Sequence, residues 1–489
     1  MALDDRLPVV VGTGQSIERL RTVSALDLAT TAARTALDDA PGLRPRVSRV
    51  SMVNMVSPVG RSPATVLARR LGLSPRVAEV STLGGNSPQM LVARAATAIA
   101  TGQADVVLVA GAEALGSPGA PGPSENIDAE PAEPDPVVGD ARPGAGGHEM
   151  AAGLLAPVTI FALIESALAA RAGRSFAEHR VALGERMAPF TRVAASHPFA
   201  WFPRVRQPGE LSTASTDNRV VSEPFTKRLC AMMRVNQGAA LVLTSLGVAR
   251  AAGIGAQAVF CWSSGEATDV WFPTARPHLE RSPAMAAATH GALGAAGIDI
   301  DDVDCLDLYS CFPCAVELAT DAIGIRLDDH RALTVTGGLP YFGGPGSNYT
   351  LHAIATVVNR LRADGGIGLI TSFGWYATKH AVGVYGAAPP ASGYRVADTS
   401  ASQRAIDHDA VEVAAGVDAG ASKAVVIGAT VAYGPDATAF SAPVIARLDD
   451  GRHVAAVAHD GDLSAIRDRN LVGLRVTVCG TPPRYRLEG

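Results

Sequence analysis

Two segments of the chain share one pattern: NSPQMLVARAATAIATGQADVVLVAG (residues 86–111) and NYTLHAIATVVNRLRADGGIGLITSFG (residues 348–374). Each begins with asparagine, continues as a helical run, passes an Ala-Asp pair and ends in an apolar run that closes on glycine. The two segments differ in length by one residue. Continuous apolar strands next to helices are typical of α/β folds, in which the strand is buried on both faces. The repetition predicts two similar halves.

Earlier parts of the two halves also correspond. An alanine-rich helix at Ala25–Ala40 precedes a strand at Val50–Val56, and a similar helix at Ala284–Ala296 precedes a strand at Cys305–Tyr309. Two βαβ-rich halves with the same element order predict a pseudo-symmetric pair of domains. The predicted fold class is therefore α/β.

The chain between and after these halves has a different composition. Ser117–Gly147 is rich in Pro, Gly, Ala and acidic residues, which predicts a mobile excursion. After the linker-like Pro389–Gly393, short β-rich runs alternate with turn signals, which predicts a small all-β barrel. The predicted domains are an N-terminal half (residues 1–116 and 236–250), an inserted loop domain (117–235), a C-terminal half (251–388) and a barrel-like, OB-like β domain (389–489).

Composition excludes several classes of protein. The chain is 47% hydrophobic and 18% charged with a net charge of −5, so no charge extreme indicates a nucleic-acid partner. The charged start Met1–Arg6 does not resemble a signal peptide, and the apolar run Ala151–Ile164 is too short to span a bilayer. Six scattered cysteines favour reduced thiols. We predict a cytoplasmic protein without a membrane span.

Several motifs give the chain a family resemblance over about residues 7–388. The segment 102–111, the run Asn236–Leu241 and the glycine-rich Gly337–Pro345 are similar to stretches of the thiolase superfamily, in which the last one reads GG…GHP. Tyr309-Ser310-Cys311-Phe312 stands where the sterol-carrier-protein thiolases carry His-Asp-Cys-Phe. The resemblance implies a thiolase-like fold, and some thiolase-like proteins carry an appended barrel-like domain. It also implies relatedness to the acetyl-CoA acetyltransferases.

The same resemblance locates four catalytic loops, and all four depart from the family pattern. The nucleophilic cysteine of a thiolase corresponds to Gly85, which has no side chain to acylate. Tyr309 replaces the Asn or His of the second loop, and Gly344 replaces the His of GHP. The fourth loop, Thr371–Tyr376, contains no acid-base cysteine. Ordinary thiolysis or condensation is therefore not expected, and whether the protein is an enzyme stays open.

Three side chains are candidates for catalysis. Tyr309 ends a predicted strand where the family stabilises an oxyanion, and a phenol can donate such a hydrogen bond or transfer a proton. Tyr376 and His380, with Lys379 between them, form a polar cluster in the fourth loop. The alternative interpretation is structural: Tyr309 fills the space of a missing histidine, and the cluster caps or packs the core.

Other side chains are candidates for binding CoA or acyl-CoA, which would be a ligand and not a tightly bound cofactor. The helix start after Gly85, with Ser87, favours anions. Basic residues in the insertion could meet phosphate groups, although surface charges of this kind are often only solvated. They are Arg204, Arg206, Lys227 and Arg228.

Two further groups are interpreted as structural. His352 lies on an otherwise apolar helix face, which is typical of a core histidine. Cys305, Cys311 and Cys314 lack a second ligand pair at metal spacing, so no metal site is predicted.

The leading functional hypothesis is a degenerate thiolase-like protein of lipid metabolism that binds acyl-CoA or a related lipid thioester. The alternative is a thiolase-like aldolase, a C–C lyase that cleaves a β-hydroxyacyl-CoA without an acyl-cysteine. A third hypothesis is a scaffold that binds a protein partner through residues 389–489 or blocks the usual dimer face.

Overall fold

The structure is a computed structural model that describes residues 4–117 and 133–488. Residues 118–132, the middle of the predicted mobile excursion, lie outside the described residues. The strands are β1 (Pro8–Ile17), β2 (Val47–Met52), β3 (Val77–Ser81), β4 (Val106–Ala114), β5 (Val137–Val138), β6 (Val220–Ser222), β7 (Phe225–Thr226), β8 (Asn236–Ser245), β9 (Val259–Thr268), β10 (Cys305–Asp307), β11 (Ile367–Gly374), β12 (Lys379–Gly386), β13 (Arg395–Val396), β14 (Val417–Ala429), β15 (Ala432–Tyr433), β16 (Ala439–Ser441), β17 (Pro443–Leu448), β18 (His453–Ala458), β19 (Arg475–Gly480) and β20 (Arg484–Leu487).

Helices lie on both sides of the main sheet and in the insertion. They are α1 (Ala25–Asp38), α2 (Pro63–Arg70), α3 (Ser87–Ala100), α4 (Gly147–Ala151), α5 (Pro157–Arg171), α6 (Phe176–Ser196), α7 (Pro208–Ser212), α8 (Leu246–Ala251), α9 (Pro283–Ala296), α10 (Pro313–Ile323), α11 (Tyr349–Asp364), α12 (Ser400–His408) and α13 (Leu463–Ile466). None of the described helices combines the length and apolarity needed to cross a bilayer.

The main sheet has an internal symmetry. Its strand order is β10-β11-β12-β9-β1-β8-β4-β2-β3-β5, with β13 added beside β9. The sequence β1-β8-β4-β2 on one side of the centre matches β9-β12-β11-β10 on the other, and β1 pairs with β9 through Val9 and Val10. The predicted α/β fold of two duplicated halves is confirmed.

Glycine and alanine explain how the helices reach this sheet so closely. A Cβ atom on Gly12 of β1 would lie 2.1 Å from the carbonyl oxygen of Ala36 in α1. In the second half, a Cβ atom on Gly265 of β9 would lie 2.2 Å from the carbonyl oxygen of Ala288 in α9. Only a residue without a Cβ fits at either position, so both halves use the same close strand-to-helix contact.

The C-terminal region forms a closed barrel in the strand order β14-β17-β18-β20-β19, which confirms the predicted small β domain. Buried aliphatic side chains and Tyr485 fill its interior. The sequence before it does not belong to the barrel: β13 pairs with β9, and Thr399 donates a 2.5 Å hydrogen bond to the carbonyl oxygen of Glu266. The individual domain boundaries stay predictions.

One edge of the main sheet is covered by a short segment of the chain. The backbone amides of Val80 and Thr82 donate to the carbonyl oxygens of Pro136 and Val138, at 2.9 and 2.8 Å. Strand β5 therefore occupies the hydrogen-bonding edge of β3, which would otherwise be open to another chain.

Candidate functional site

The four loops singled out in the sequence meet around one cavity of about 390 Å³. Gly85, Tyr309, Gly344 and Phe373 each bring one loop to its wall. The first loop follows β3, the second follows β10, and the fourth comprises the end of β11 and the residues after it, so the strand ends of both halves place these loops side by side. The remaining wall comes largely from the insertion. We call this space the inner cavity.

Any side chain at position 85 would overlap with Tyr309. A Cβ atom built on Gly85 would lie 2.1 Å from Tyr309 Oη and 2.6 Å from the carbonyl oxygen of Phe373. Real Cβ atoms do not approach other atoms this closely. The phenol therefore fills the volume that a nucleophilic side chain at position 85 would need.

Packing fixes the Tyr309 ring in this place. Its centroid lies 4.6 Å from that of Phe373, and the Tyr349 ring meets it edge-on at 5.6 Å. The Tyr309 backbone amide donates to Thr371 Oγ1 at 3.1 Å. Tyr309 also lines the inner cavity. Burial raises the pKa of Tyr309 well above its ordinary value, so the phenol is a hydrogen-bond donor at neutral pH.

The inner cavity offers donors but no base. Its ionisable lining residues are Tyr309, Cys230, Cys311 and Lys227, and no carboxylate or imidazole from the described part of the chain reaches its wall. Burial raises the pKa of Cys230 to about 12 and that of Cys311 higher still. Neutral thiols are poor nucleophiles. The site can thus polarise a carbonyl oxygen but cannot remove a proton by itself.

A second, more polar space adjoins the first. This outer cavity has a volume of about 200 Å³, and Arg206, Lys227 and Arg228 line it with Asp217 as a single carboxylate. Lys227 and Met232 line both cavities, so the two spaces meet there. Tyr341 also lines the outer cavity, and its hydroxyl is buried without a partner in the described residues.

The electrostatics of the outer cavity favour an anion. Burial lowers the pKa of Arg206, and the neighbouring cations Arg228 and Arg204 lower it further. Mutual repulsion of this kind is relieved when an anion binds between the cations. Glu210 offsets part of the charge, because its Oε1 atom lies 3.3 Å from Arg206 and 3.7 Å from Arg204.

The predicted binding residues fall into two groups. Gly85, Lys227 and Arg206 line the cavities, whereas Arg204 lies on the surface with its side chain 69% exposed. Ser87 is fully buried, and its hydroxyl donates to the carbonyl oxygen of Thr82 at 2.6 Å. It therefore faces the first loop and not the ligand space.

Tyr376 lies outside the inner cavity wall. Its hydroxyl donates to the carbonyl oxygen of Leu155 at 2.8 Å, so it links the fourth loop to the start of α5. Lys379, the first residue of β12, donates to the carbonyl oxygen of Leu83 at 2.7 Å, and burial lowers its pKa to about 8. These contacts hold neighbouring loops in place.

His380 also lies outside the wall, in a network at the start of α9. Its Nε2 atom lies 3.1 Å from Asp269 Oδ2 and 3.2 Å from Ser282 Oγ. Asp269 and Ser282 accept hydrogen bonds from the first backbone amides of α9, those of Ala284 and Met285. The geometry is that of a helix cap. The structure does not bring His380 or Tyr376 to Tyr309 in a common cavity.

The residues interpreted as structural differ in position. His352 is buried, and its Nδ1 atom lies 2.7 Å from Gln15 Oε1. Cys305 and Cys314 lie in β10 and α10, but Cys311 lines the inner cavity. Within residues 4–117 and 133–488, no group of three or more His, Cys, Asp or Glu side chains is arranged to hold a metal ion.

The apolar residues of the insertion that line the inner cavity were not identified from the sequence. Phe161 of α5 stacks on Phe312 at 4.8 Å, and Met232 and Met233 also line the space. No local pattern marks these residues. Cys311 could have been found, because it follows Tyr309 by two residues in the second loop.

Comparisons with known proteins agree with this geometry. Residues 9–136 match the thiolase N-terminal domain family. A monomeric SCP2-thiolase like protein type 1 from Mycobacterium smegmatis is 32% identical, with a TM-score of 0.85 and 100% of both chains covered. No curated protein sequence matches.

More distant structures share the fold alone. The Ltp2-ChsH2(DUF35) aldolase is 19% identical with a TM-score of 0.60, and 78% of this chain and 98% of that chain are covered. An acetyl-CoA acetyltransferase from Syntrophomonas wolfei is 16% identical with a TM-score of 0.55, at 78% and 99% coverage. Identity of 32% over the full length of the Mycobacterium smegmatis protein is decisive. The chain belongs to the thiolase superfamily and, within it, to the SCP2-thiolase-like proteins.

Proposed function

We propose that this protein binds an acyl-CoA or a related lipid thioester and does not carry out thiolysis. The observation that carries the proposal is the meeting of two unlike cavities at Lys227. Arg206, Lys227 and Arg228 line the outer cavity, which suits the phosphate groups of CoA. Aromatic and aliphatic side chains line the inner cavity, which suits an acyl chain.

The wall of the inner cavity favours a flexible apolar ligand. Val158, Phe161, Phe312 and the two neighbouring methionines Met232 and Met233 supply its surface. Methionine adapts to irregular apolar shapes because its side chain is unbranched. Each methylene group that enters such a wall contributes about 0.8 kcal/mol.

The missing chemistry supports binding without turnover. Gly85 supplies no nucleophile, and Tyr309 fills the volume in which one would stand. Burial raises the pKa values of Tyr309, Cys230 and Cys311, so these three groups of the wall keep their protons at neutral pH. A bound thioester therefore meets a hydrogen-bond donor but no attacking group, and we expect it to leave intact.

Titration calorimetry with CoA and saturated acyl-CoAs of increasing length tests the proposal. Affinity should rise with chain length, by at most about fourfold per methylene group, until the inner cavity is full. Lys227→Ala should weaken the binding of CoA and acyl-CoA alike. Arg326→Ala is the matched control, because this side chain is 82% exposed and pairs with Asp328 far from both cavities. Acyl-CoA that binds no more tightly than CoA would contradict the proposal.

The aldolase alternative rests on Tyr309, which lines the inner cavity. Cleavage of a β-hydroxyacyl-CoA breaks the Cα–Cβ bond and releases an aldehyde or ketone and an enolate, which a phenol could stabilise. A base must first remove the hydroxyl proton, and the described residues place no carboxylate or imidazole at the wall of the inner cavity. We therefore expect cleavage only with a partner protein, and one neighbour of the same fold is described as the Ltp2-ChsH2(DUF35) aldolase.

A cleavage assay separates the two candidates. A panel of β-hydroxyacyl-CoAs is incubated with the protein, both alone and together with a co-purified partner protein, and aldehyde or ketone release is measured. Intact thioesters support the binding function. Release that falls about a hundredfold in Tyr309→Phe would establish the lyase instead.

We also propose that the protein is a monomer. Strand β5 covers the edge of β3 at which another chain could pair, and the related Mycobacterium smegmatis protein is described as monomeric. Light scattering should give the mass of one 50.2 kDa chain.

Docking of a partner through residues 389–489 stays a prediction, to be tested by co-purification with and without that region.

A further inference from the structure

Strand β6 of the insertion separates two spaces. Val221 lines the inner cavity, whereas its neighbour Val220 lines a cleft of about 480 Å³ on the other side. Successive side chains of a strand point to opposite faces, so one backbone forms a wall of both. Anything that moves β6 changes the inner cavity directly.

The C-terminal region holds β6 by strand pairing. Strands β16-β15-β6-β7 form one small sheet, in which Ala432 pairs with Ser222. The Glu223 amide donates to the carbonyl oxygen of Val431 at 3.0 Å. Thr430 adds a side-chain bond to the Glu223 carbonyl oxygen at 2.8 Å. The strand that walls the inner cavity thus has its partner in the C-terminal region.

A buried carboxylate fixes this pairing. Glu223 is 1% exposed, and the Tyr433 hydroxyl donates a short hydrogen bond to its Oε1 atom. The Asp468 amide donates to Oε2 at 3.1 Å. Both donors come from the C-terminal region. A buried carboxylate that loses a donor is costly, so the contact resists separation of β6 from β15.

The same strand leads to the ligand-binding residues. After β6 the chain continues into Phe225, whose ring stacks on Phe312 of the inner cavity at 5.4 Å. It then reaches Lys227, where the two cavities meet, and Cys230 in the wall. Displacement of β6 would therefore reach the wall and the junction together.

We propose that Tyr433 is a positioning residue for the acyl cavity: through Glu223 it fixes strand β6, so the C-terminal barrel region is a structural part of the ligand site. The effect on ligands rests on the proposed binding function. The effect on the cavity wall does not rest on the proposed binding function, so the effect on the wall and the effect on ligands can be tested separately.

Cysteine labelling tests the wall without any ligand. Native protein is treated with N-ethylmaleimide, and labelling of each cysteine is followed by mass spectrometry. Cys230 and Cys311 line the inner cavity, whereas Cys261 and Cys305 are buried in the main sheet. Tyr433→Phe should speed labelling of the first pair about tenfold, the change in local opening expected for one lost hydrogen bond to a carboxylate.

Tyr485→Phe is the matched control, because that hydroxyl is buried in the barrel without a partner in the described residues. It should leave all four rates unchanged. Equal acceleration of all four cysteines in Tyr433→Phe would indicate general destabilisation and overturn the proposal, as would no change at Cys230. In calorimetry, Tyr433→Phe should weaken long-chain acyl-CoA more than CoA. If the parent protein binds neither, the binding function fails while the labelling result still decides the role of Tyr433.

Discussion

The strongest quantitative prediction concerns the contact between Gly85 and Tyr309. In Gly85→Ala the new methyl group would lie 2.1 Å from Tyr309 Oη, about 1.3 Å short of the 3.4 Å at which ordinary contact begins. The ring cannot move freely, because Phe373 and Tyr349 pack against it. We expect Gly85→Ala to lower the free energy of unfolding by about 3 kcal/mol, the upper range for overpacking.

A double-mutant cycle isolates the clash. Tyr309→Ala alone should cost about 3–5 kcal/mol as a large-to-small change. Combined with Gly85→Ala, it should cost less than the sum of the two, by about 2 kcal/mol, because removal of the phenol makes room for the new methyl group. Urea denaturation of the four proteins measures this. Gly294→Ala is the control: its Cβ would meet nothing within 4 Å, so this exposed helical site should gain about 0.5–1 kcal/mol. Strict additivity, or a Gly85→Ala variant as stable as Gly294→Ala, would refute the reasoning.

Three further predictions follow from the site and the core. Purified protein should show no acetoacetyl-CoA thiolysis; turnover that persists in Ser87→Ala would require a nucleophile that the loops do not supply. Tyr376→Phe should lower stability by about 1 kcal/mol through the lost bond to Leu155 and leave acyl-CoA affinity unchanged, since the ring lies outside the cavity wall; calorimetry showing weaker binding would contradict this placement. Burial lowers the pKa of His352 to about 3, so the unfolded chain takes up a proton near pH 6.5 and the folded chain does not. The stability contributed by neutral His352 should be complete above pH 6.5 and fall by about 1.4 kcal/mol per pH unit below it. In urea denaturation at several pH values, His352→Gln should reduce that slope. An unchanged slope would contradict the role assigned to His352.

Much of the fold is predictable because its determinants are local. The helix-strand repeats that begin at Asn86 and Asn348 can be recognised in the sequence, because each consists of a contiguous helical run followed by an apolar run that ends in glycine. Counting from Gly102 places Gly85 in the first loop, and the structure has Gly85 against Tyr309. Sequence spacing could not show that the phenol fills the vacant volume, because that contact joins two halves of the chain.

Contacts between distant segments account for what the sequence did not show. Tyr376 and His380 are candidates for catalysis because polar residues are unusual in an apolar stretch; in the structure Tyr376 bonds Leu155, just before α5, and His380 contacts Asp269 at the start of α9. The pairing of β6 with β15 involves strands of two or three residues, too short for any periodicity, and joins Ser222 to Ala432. The methionines of the inner wall likewise acquire their place only through packing.

Photocrosslinking tests the central claim, that an acyl thioester lies with its chain in the inner cavity and is not consumed. An acyl-CoA with a diazirine at the end of the acyl chain is incubated with the protein, and the mixture is irradiated. The labelled peptides are then identified by mass spectrometry. The account predicts label on the peptides that contain Phe161, Met232 and Phe312, with the unreacted ligand still an intact thioester. Label concentrated on other peptides, or hydrolysis or cleavage of the ligand before irradiation, would contradict it.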